Sequence, residues 1–384
     1  MSNSLKKRNS NIELLRIFAM LMIIAYHICC HCINVQLMDE ESILTMQNGW
    51  FCHPIFYKKL LLLALISPMG QAGNAIFILI SGYFMAHKGK NVDLTSISKK
   101  LLLQLGFAVL MLCVASSIIY EVTNTLHLKV INVTTFNNSA WFVGYYFVII
   151  VMAKLFLNSF LEKLDRKKYL MFLMVTFSLI QFKWSRELIS NISNDIDKGL
   201  VVLCTGIFLY SLGGYIRKYN PFEKIKTWVV VAVIICIGLL ICSIFYADTA
   251  NEIRAYDESS GETFYQTIHT FENYSFVPVS LGVALFELFR RIKTPYSKII
   301  NFLGASTFTV YLLHDNKFFY TIWDIQDWMT LLYNSPILFA LKLLGYTLGT
   351  FALGIIVYSL FLAIEKLAKR IAPAFIKKES SDCT

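Results

Sequence analysis

Charge is what this sequence has least of. Only 16% of its 384 residues are Asp, Glu, Lys or Arg, against 56% hydrophobic. Soluble domains are about 25% charged and about 45–50% apolar. So few polar residues cannot cover a folded chain of this length, so a water-soluble fold is excluded and lipid must be part of the solvent. Proline is scarce, at seven residues, and no Pro/Gly/Ser-rich linker sets off an appended soluble domain. A net charge of +10 exists, but it falls in short clusters between apolar runs. No basic stripe is interleaved with stacking aromatics, which excludes nucleic acid as a partner. The nine cysteines follow no regular spacing, and Cys113, Cys204, Cys236 and Cys242 lie inside apolar runs, where a thiol acts as a small core residue. No internal repeat relates residues 1–190 to 191–384.

What is present is a series of apolar runs. A spanning helix needs about 20 mainly apolar residues. Stretches meeting this run over 12–33, 60–86, 101–120, 140–160, 169–184, 199–216, 227–247, 274–289, 299–315 and 334–364. They predict an all-α, polytopic integral membrane bundle of about ten transmembrane helices. Ser67-Pro68-Met69-Gly70 breaks the second stretch, and such breaks persist only where neighbours or a polar cavity satisfy the backbone. Basic clusters set the orientation. Lys6-Lys7-Arg8, Lys99-Lys100, Arg166-Lys167-Lys168, Arg217-Lys218, Arg290-Arg291 and Lys369-Arg370 all fall on one side when both termini are cytoplasmic. The segments on the other side, including Asp248–Glu262 and Asp315–Asp327, read as longer, more acidic outer loops. Lys6-Lys7-Arg8 before an apolar run mimics a signal peptide, but Glu13 and Arg16 interrupt that run and no small-x-small site follows, so the first helix is predicted to stay uncleaved. The domain reading is a cytoplasmic segment 1–11, a transmembrane domain 12–364 and a cytoplasmic tail 365–384.

Charges inside a span are rare and face the bundle interior. The first span carries Glu13, Arg16 and His27. Arg16 and His27 are eleven residues apart, three turns plus about 20°, so both lie on one face, roughly 16 Å apart along the axis. Glu13 stands three residues before Arg16 and can pair with it. The plainer alternative for Arg16 is a snorkelling side chain near the cytoplasmic face. His27 lies deeper, as a hydrogen-bonded structural histidine or a functional one. His31 follows one turn later among Cys29, Cys30 and Cys32, and the group offers a second alternative, a metal site. The second span ends Phe77-x3-Ser81-Gly82-Tyr83, which taken alone is no more than a helix end. Trp141 and Tyr145 open the fourth, where aromatic residues commonly form an interfacial belt. The ninth carries Ser306, which can bridge helices, and His314 at the outer boundary, where a solvated histidine is the plainer alternative.

Together, Arg16-x10-His27 and Phe77-x3-Ser81-Gly82-Tyr83, with the weaker Trp141–Tyr145 and Gly304–His314 segments, resemble the membrane-bound acyltransferase-3 family over nearly the whole chain. The resemblance implies about ten core helices in a bacterial cytoplasmic membrane and an acyl-CoA donor, commonly acetyl-CoA. It implies a cell-surface glycan or lipid-linked glycan as acceptor, and no metal. Some members carry a fused esterase-like domain; this chain is predicted to lack one. On that reading His27 is the base, and an imidazole suits the task because its ordinary pKa is about 6.5. Arg16 binds the donor's phosphates or stabilises charge. Ser81, Gly82 and Tyr83 line the donor's mouth, with Glu13, Phe77, Trp141, Tyr145, Ser306 and His314 in support. A secondary transporter, which also builds sites from broken helices, is the alternative function.

Overall fold

The computed structural model describes residues 9–37, 54–88, 92–123, 141–181, 194–258, 271 and 275–381. Lys6, Lys7 and Arg8 and the stretches 124–140, 182–193 and 259–270 lie outside the described residues. All regular structure among the described residues is helical. In chain order the helices are α1 (Ser10–Ile28), α2 (Asn34–Leu37), α3 (Pro54–Ile66), α4 (Met69–Met85), α5 (Leu94–Thr123) and α6 (Trp141–Met152). There follow α7 (Asn158–Lys163), α8 (Arg166–Gln181), α9 (Asn194–Tyr219), α10 (Thr227–Glu258), α11 (Phe276–Arg291) and α12 (Lys298–His314). The last are α13 (Lys317–Asp324), α14 (Trp328–Asn334) and α15 (Pro336–Ser381). Single π turns, Cys29–Ile33 and Ala153–Leu157, join α1 to α2 and α6 to α7.

Among the described residues, each of the ten apolar stretches is mainly helical. Six helical runs are long and apolar enough to cross a membrane: Ser10–Leu37, Lys59–Met85, Leu94–Ile118, Trp141–Lys163, Thr227–Asn251 and Pro336–Arg370. The other stretches are shorter or more polar. α8 and α11 have 16 residues each and α12 has 17. α9 opens on Asn194-Asp195 and closes on Arg217-Lys218. The chain is therefore a multi-pass helical membrane protein. The predicted break in the second stretch falls at Ser67-Pro68, between α3 and α4.

Two stretches predicted as outer loops contain helix among their described residues. α10 runs on to Glu258, and 317–334 folds into α13 and α14. The local reason is capping. Asn316 accepts from the Phe318 and Phe319 amides, and Asp327 accepts from the Thr330 amide, each satisfying backbone donors at a helix start. Burial completes them: Trp323 and Trp328 have no exposed surface, and their indole N–H groups donate to Thr350 Oγ1 at 3.1 Å and to the Trp323 carbonyl at 2.9 Å.

Two helices form the hub. Of the most apolar windows in the Ser10–Leu37 and Lys59–Met85 runs, 56% and 67% is buried inside the protein, against 22–33% for the other four. α4 packs on α1, α9 and α11, while α1 also packs on α12 and α15. Without a hydrophobic drive between helices in lipid, such contacts depend on small residues that let backbones approach. Gly82 of α4 is one: a Cβ there would stand 1.9 Å from the Tyr210 carbonyl oxygen of α9, and a Cβ at Gly213 would stand 2.3 Å from the Leu79 carbonyl oxygen. A rigid backbone atom cannot yield to a methyl group, so Gly82→Ala is expected to separate α4 from α9 at about 1–3 kcal/mol or more. The check is a thermal-unfolding midpoint of the purified variant. A midpoint equal to wild type would show that the crossing is not tight.

A second clamp holds the end of the bundle where the basic residues gather. Glu287 is buried, and its carboxylate accepts from Arg290 Nε at 2.8 Å and from Arg291 Nε at 2.6 Å. Arg290 Nη2 also donates to Asn220 Oδ1 at 2.7 Å, and Arg291 Nη2 to the Phe222 carbonyl at 2.7 Å. Asn220 has a φ of 43°, the left-handed conformation that asparagine tolerates better than most residues. Arg290 and Arg291 thus tie α11 to the α9–α10 turn besides contributing positive charge.

Candidate active site

α1 carries the site's two signature residues on one face, and the structure gives each a separate environment. Arg16 lines a partly open cavity of about 280 Å³ between α1, α4, α5, α6 and α12. Phe77, Phe142 and Phe308 form apolar wall, while Ser81, Lys100, Gln104, Tyr146, Thr307 and Tyr311 bring polar groups. Arg16 Nη1 lies 3.7 Å from Glu13 Oε1, and Glu13 is 6% exposed. Glu13 thus partners Arg16, as expected whether or not that side chain snorkels, and the Arg16 side chain is partly buried. Ser81 Oγ donates to the Phe77 carbonyl at 2.8 Å and lies 3.0 Å from the Tyr146 hydroxyl. Arg16 Nε and Gln104 Nε2 are buried without a hydrogen-bond partner. Buried donors left unmade are costly, so their convergence on one cavity suits a ligand rich in acceptor oxygens.

Beyond Tyr311 the chemistry changes. His27 Nδ1 and His314 Nε2 are 2.7 Å apart, and His314 Nδ1 is 2.8 Å from the Tyr311 carbonyl oxygen. The tautomers follow from the far end. A carbonyl can only accept, so His314 Nδ1 carries that ring's proton. His314 Nε2 then holds a lone pair and accepts from His27 Nδ1–H. The lone pair of neutral His27 is thereby placed on Nε2. Asp315 Oδ1 stands 3.9 Å from His27 Nδ1 and 3.4 Å from His31 Nε2, and it accepts from the Tyr320 hydroxyl. His314 has no exposed surface, which overturns the solvated alternative for it. The segment containing α13 and α14 covers this end. Gln36, beyond the π turn, donates to Asp324 Oδ1 at 3.1 Å and accepts from the Trp328 amide at 2.8 Å.

The structure brings some of the predicted residues together and not others. Arg16, Phe77 and Ser81 share the cavity. His27 and His314 share the relay, which Tyr311 separates from the cavity. The Tyr311 ring lies 5.3 Å from that of His314 and its side chain lines the cavity. Gly82 and Tyr83 point elsewhere: Gly82 meets the α9 backbone, and the Tyr83 hydroxyl accepts from Arg217 Nη1 at 3.0 Å. Trp141 is 44% exposed, as an interfacial residue would be. The Tyr145 hydroxyl donates to the Val202 carbonyl at 2.8 Å, joining α6 to α9. Ser306 is buried and donates within its own helix to Leu303 at 2.8 Å, so it bridges no helices through that bond. The cysteines beside His31 do include a Cys29-x2-Cys32 spacing, yet Cys32 Sγ points to the Tyr320 carbonyl at 3.6 Å. Among the described residues, the group placed to hold a metal is His27, His31 and Asp315, without a thiol.

Sequence reasoning gave no site role to Lys100, Gln104, Tyr311, Asp315 and Tyr320, and weighed Thr307 only as a helix bridge and Tyr146 only as part of an interfacial belt. For some a signal existed. Thr307, Tyr311 and His314 recur at helical spacing on one face of α12, and Lys100 and Gln104 are one turn apart on α5.

Fold and site define a helical membrane protein with a largely apolar cavity that gathers Arg16, Lys100 and several polar groups, and a buried histidine relay beyond Tyr311. The family model described as Acyltransferase domain, acyltransferase 3, matches residues 9–359, and the chain belongs to that family. No curated protein and no solved structure matches the chain.

Proposed function

We propose that this protein transfers an acyl group, most simply acetyl, from acyl-CoA at the cytoplasmic face of a bacterial membrane to a hydroxyl of an envelope glycan or its lipid-linked precursor. In this reading both termini are cytoplasmic and all ten stretches cross the membrane. The carrying observation is the run of close contacts from the Tyr311 carbonyl through His314 to His27, read with both rings neutral. It places a lone pair on His27 Nε2, which is what a general base requires. His27 Nε2 takes the acceptor hydroxyl's proton as that oxygen bonds to the thioester carbonyl carbon. The tetrahedral oxyanion collapses, the carbon–sulfur bond breaks, and the leaving thiolate receives the proton from His27. Asp315 stabilises the transient imidazolium, as a buried carboxylate does in hydrolytic triads. The donor's phosphates meet Arg16 and Lys100, and its pantetheine arm follows the cavity past Tyr311 towards His27. Family membership favours this reading over a secondary transporter. It is tested by release of free CoA from acetyl-CoA by the purified protein in nanodiscs, dependent on added glycan acceptor. No turnover with any envelope glycan fraction would remove it.

Arg16 supplies a separate test. A guanidinium grips phosphate in a bidentate fork, which an ammonium cannot reproduce. Arg16→Lys is expected to raise KM for acyl-CoA about tenfold, at about 1.4 kcal/mol, with a smaller change in kcat. An unchanged KM would remove Arg16 from donor binding.

A further inference from the structure

The proposed mechanism leaves His31 unused, and its surroundings suit another ligand. His31 Nε2 and Asp315 Oδ1 are 3.4 Å apart. That is beyond the roughly 2.7–3.2 Å of an N–H···O hydrogen bond. It is close to the edge of a tetrahedron built on zinc bonds of about 2.0–2.2 Å, which is about 3.4 Å. His27 Nδ1 lies 3.9 Å from the same carboxylate oxygen, and the three ligand atoms all fall within 4.8 Å of one another.

Supporting contacts fix two of the three groups. The Tyr320 hydroxyl donates to Asp315, and the Tyr320 ring stacks on His31 with centroids 4.2 Å apart. Outer contacts of this kind orient the ligands of a metal site. Two imidazoles and a carboxylate form a three-ligand zinc set that leaves a fourth position open. The His31 side chain is 35% exposed, giving an ion a way in, while Asp315 is 10% exposed.

We propose that His27, His31 and Asp315 bind a divalent transition metal ion of the zinc class, and that the bound ion switches acyl transfer off. Binding uses the His27 Nδ1 lone pair. The single proton of neutral His27 then resides on Nε2, and the nitrogen that would accept the acceptor's proton is lost. The donated hydrogen bond to His314 is lost as well. At 2.7 Å from His27 Nδ1, His314 Nε2 is too close to be a second ligand of the same ion without moving, so the relay and the metal compete for one atom. The binding half stands on this geometry alone. The switching half rests on the proposed role of His27.

The test uses the purified full chain, stripped with a chelator and titrated with ZnCl2 alone, with bound metal measured by elemental analysis and CoA release measured in parallel. One zinc per chain is expected, with loss of acyl transfer as the site fills. His31→Ala is expected to weaken zinc binding at least about tenfold, to keep acyl transfer, and to resist inhibition. If His31→Ala fails to fold, His31→Gln replaces it. No stoichiometric zinc on wild type, or binding that survives both His31→Ala and Asp315→Asn, would overturn the site. Zinc bound at these residues with acyl transfer unimpaired would overturn the switch alone. A protein that binds zinc as expected but never turns over acyl-CoA would count against the acyltransfer reading and leave the metal site standing.

Discussion

Replacing His27 by alanine is expected to abolish acyl transfer, by at least about 10²–10⁴-fold, the range of a positioned general base. The protein should still insert and accumulate, because loss of the His27 side chain leaves α1 packed through Leu15, Ala19, Ile23 and Ile24, all fully buried. The measurement is CoA release by the purified variant, alongside ester signals in the envelope glycan of cells carrying it. Acylation at the wild-type level would take His27 out of the chemistry. A variant that fails to accumulate would instead mark the histidine as structural, and His27→Gln, with a similar volume, separates the two outcomes.

The second large effect concerns His314. Its Nε2 accepts from His27 Nδ1–H and so fixes which nitrogen of His27 is basic. His314→Ala removes that acceptor and leaves a cavity between α1 and α12. A fall in kcat of about 10² or more is expected, comparable with loss of an orienting group in a hydrolytic triad, with KM for acyl-CoA little changed because His314 does not line the Arg16 cavity. His314→Gln sets an amide oxygen near the position of Nε2 and is expected to recover part of the rate. A purely structural His314 would give the opposite pattern, with both variants losing stability and neither shifting kcat against KM. Equal kcat in His314→Ala and His314→Gln would show that the acceptor plays no part.

The helices were legible because an apolar run in lipid must satisfy its backbone internally, and a helix does so with no partner. Among the described residues, each predicted stretch reappears mainly as helix, and the break at Ser67-Pro68 as a break. Span count was less legible, since α8, α11 and α12 are short and α9 has polar ends. The outer segment after Asp315 was misread because its burial depends on two distant contacts, Thr350 on α15 and Gln36 beyond the π turn. The π turn at Cys29–Ile33 has no sequence signature, yet it carries His31. Within the site, Arg16 and His27 were legible from their spacing on one helix. The partner of His27 was not, because contact between residues 287 positions apart is set by how α1 packs on α12. Gly82 shows the converse: a residue marked by its motif meets the backbone of α9 and makes the helix crossing possible.

The most direct test of the histidine relay is the ¹⁵N spectrum of the imidazoles in histidine-labelled protein at neutral pH, with His27→Gln and His314→Gln assigning the two resonance sets. The expected result is a proton on Nδ1 of both rings and an unprotonated Nε2 on His27. A His27 ring carrying its proton on Nε2 would contradict the relay and the general-base role with it.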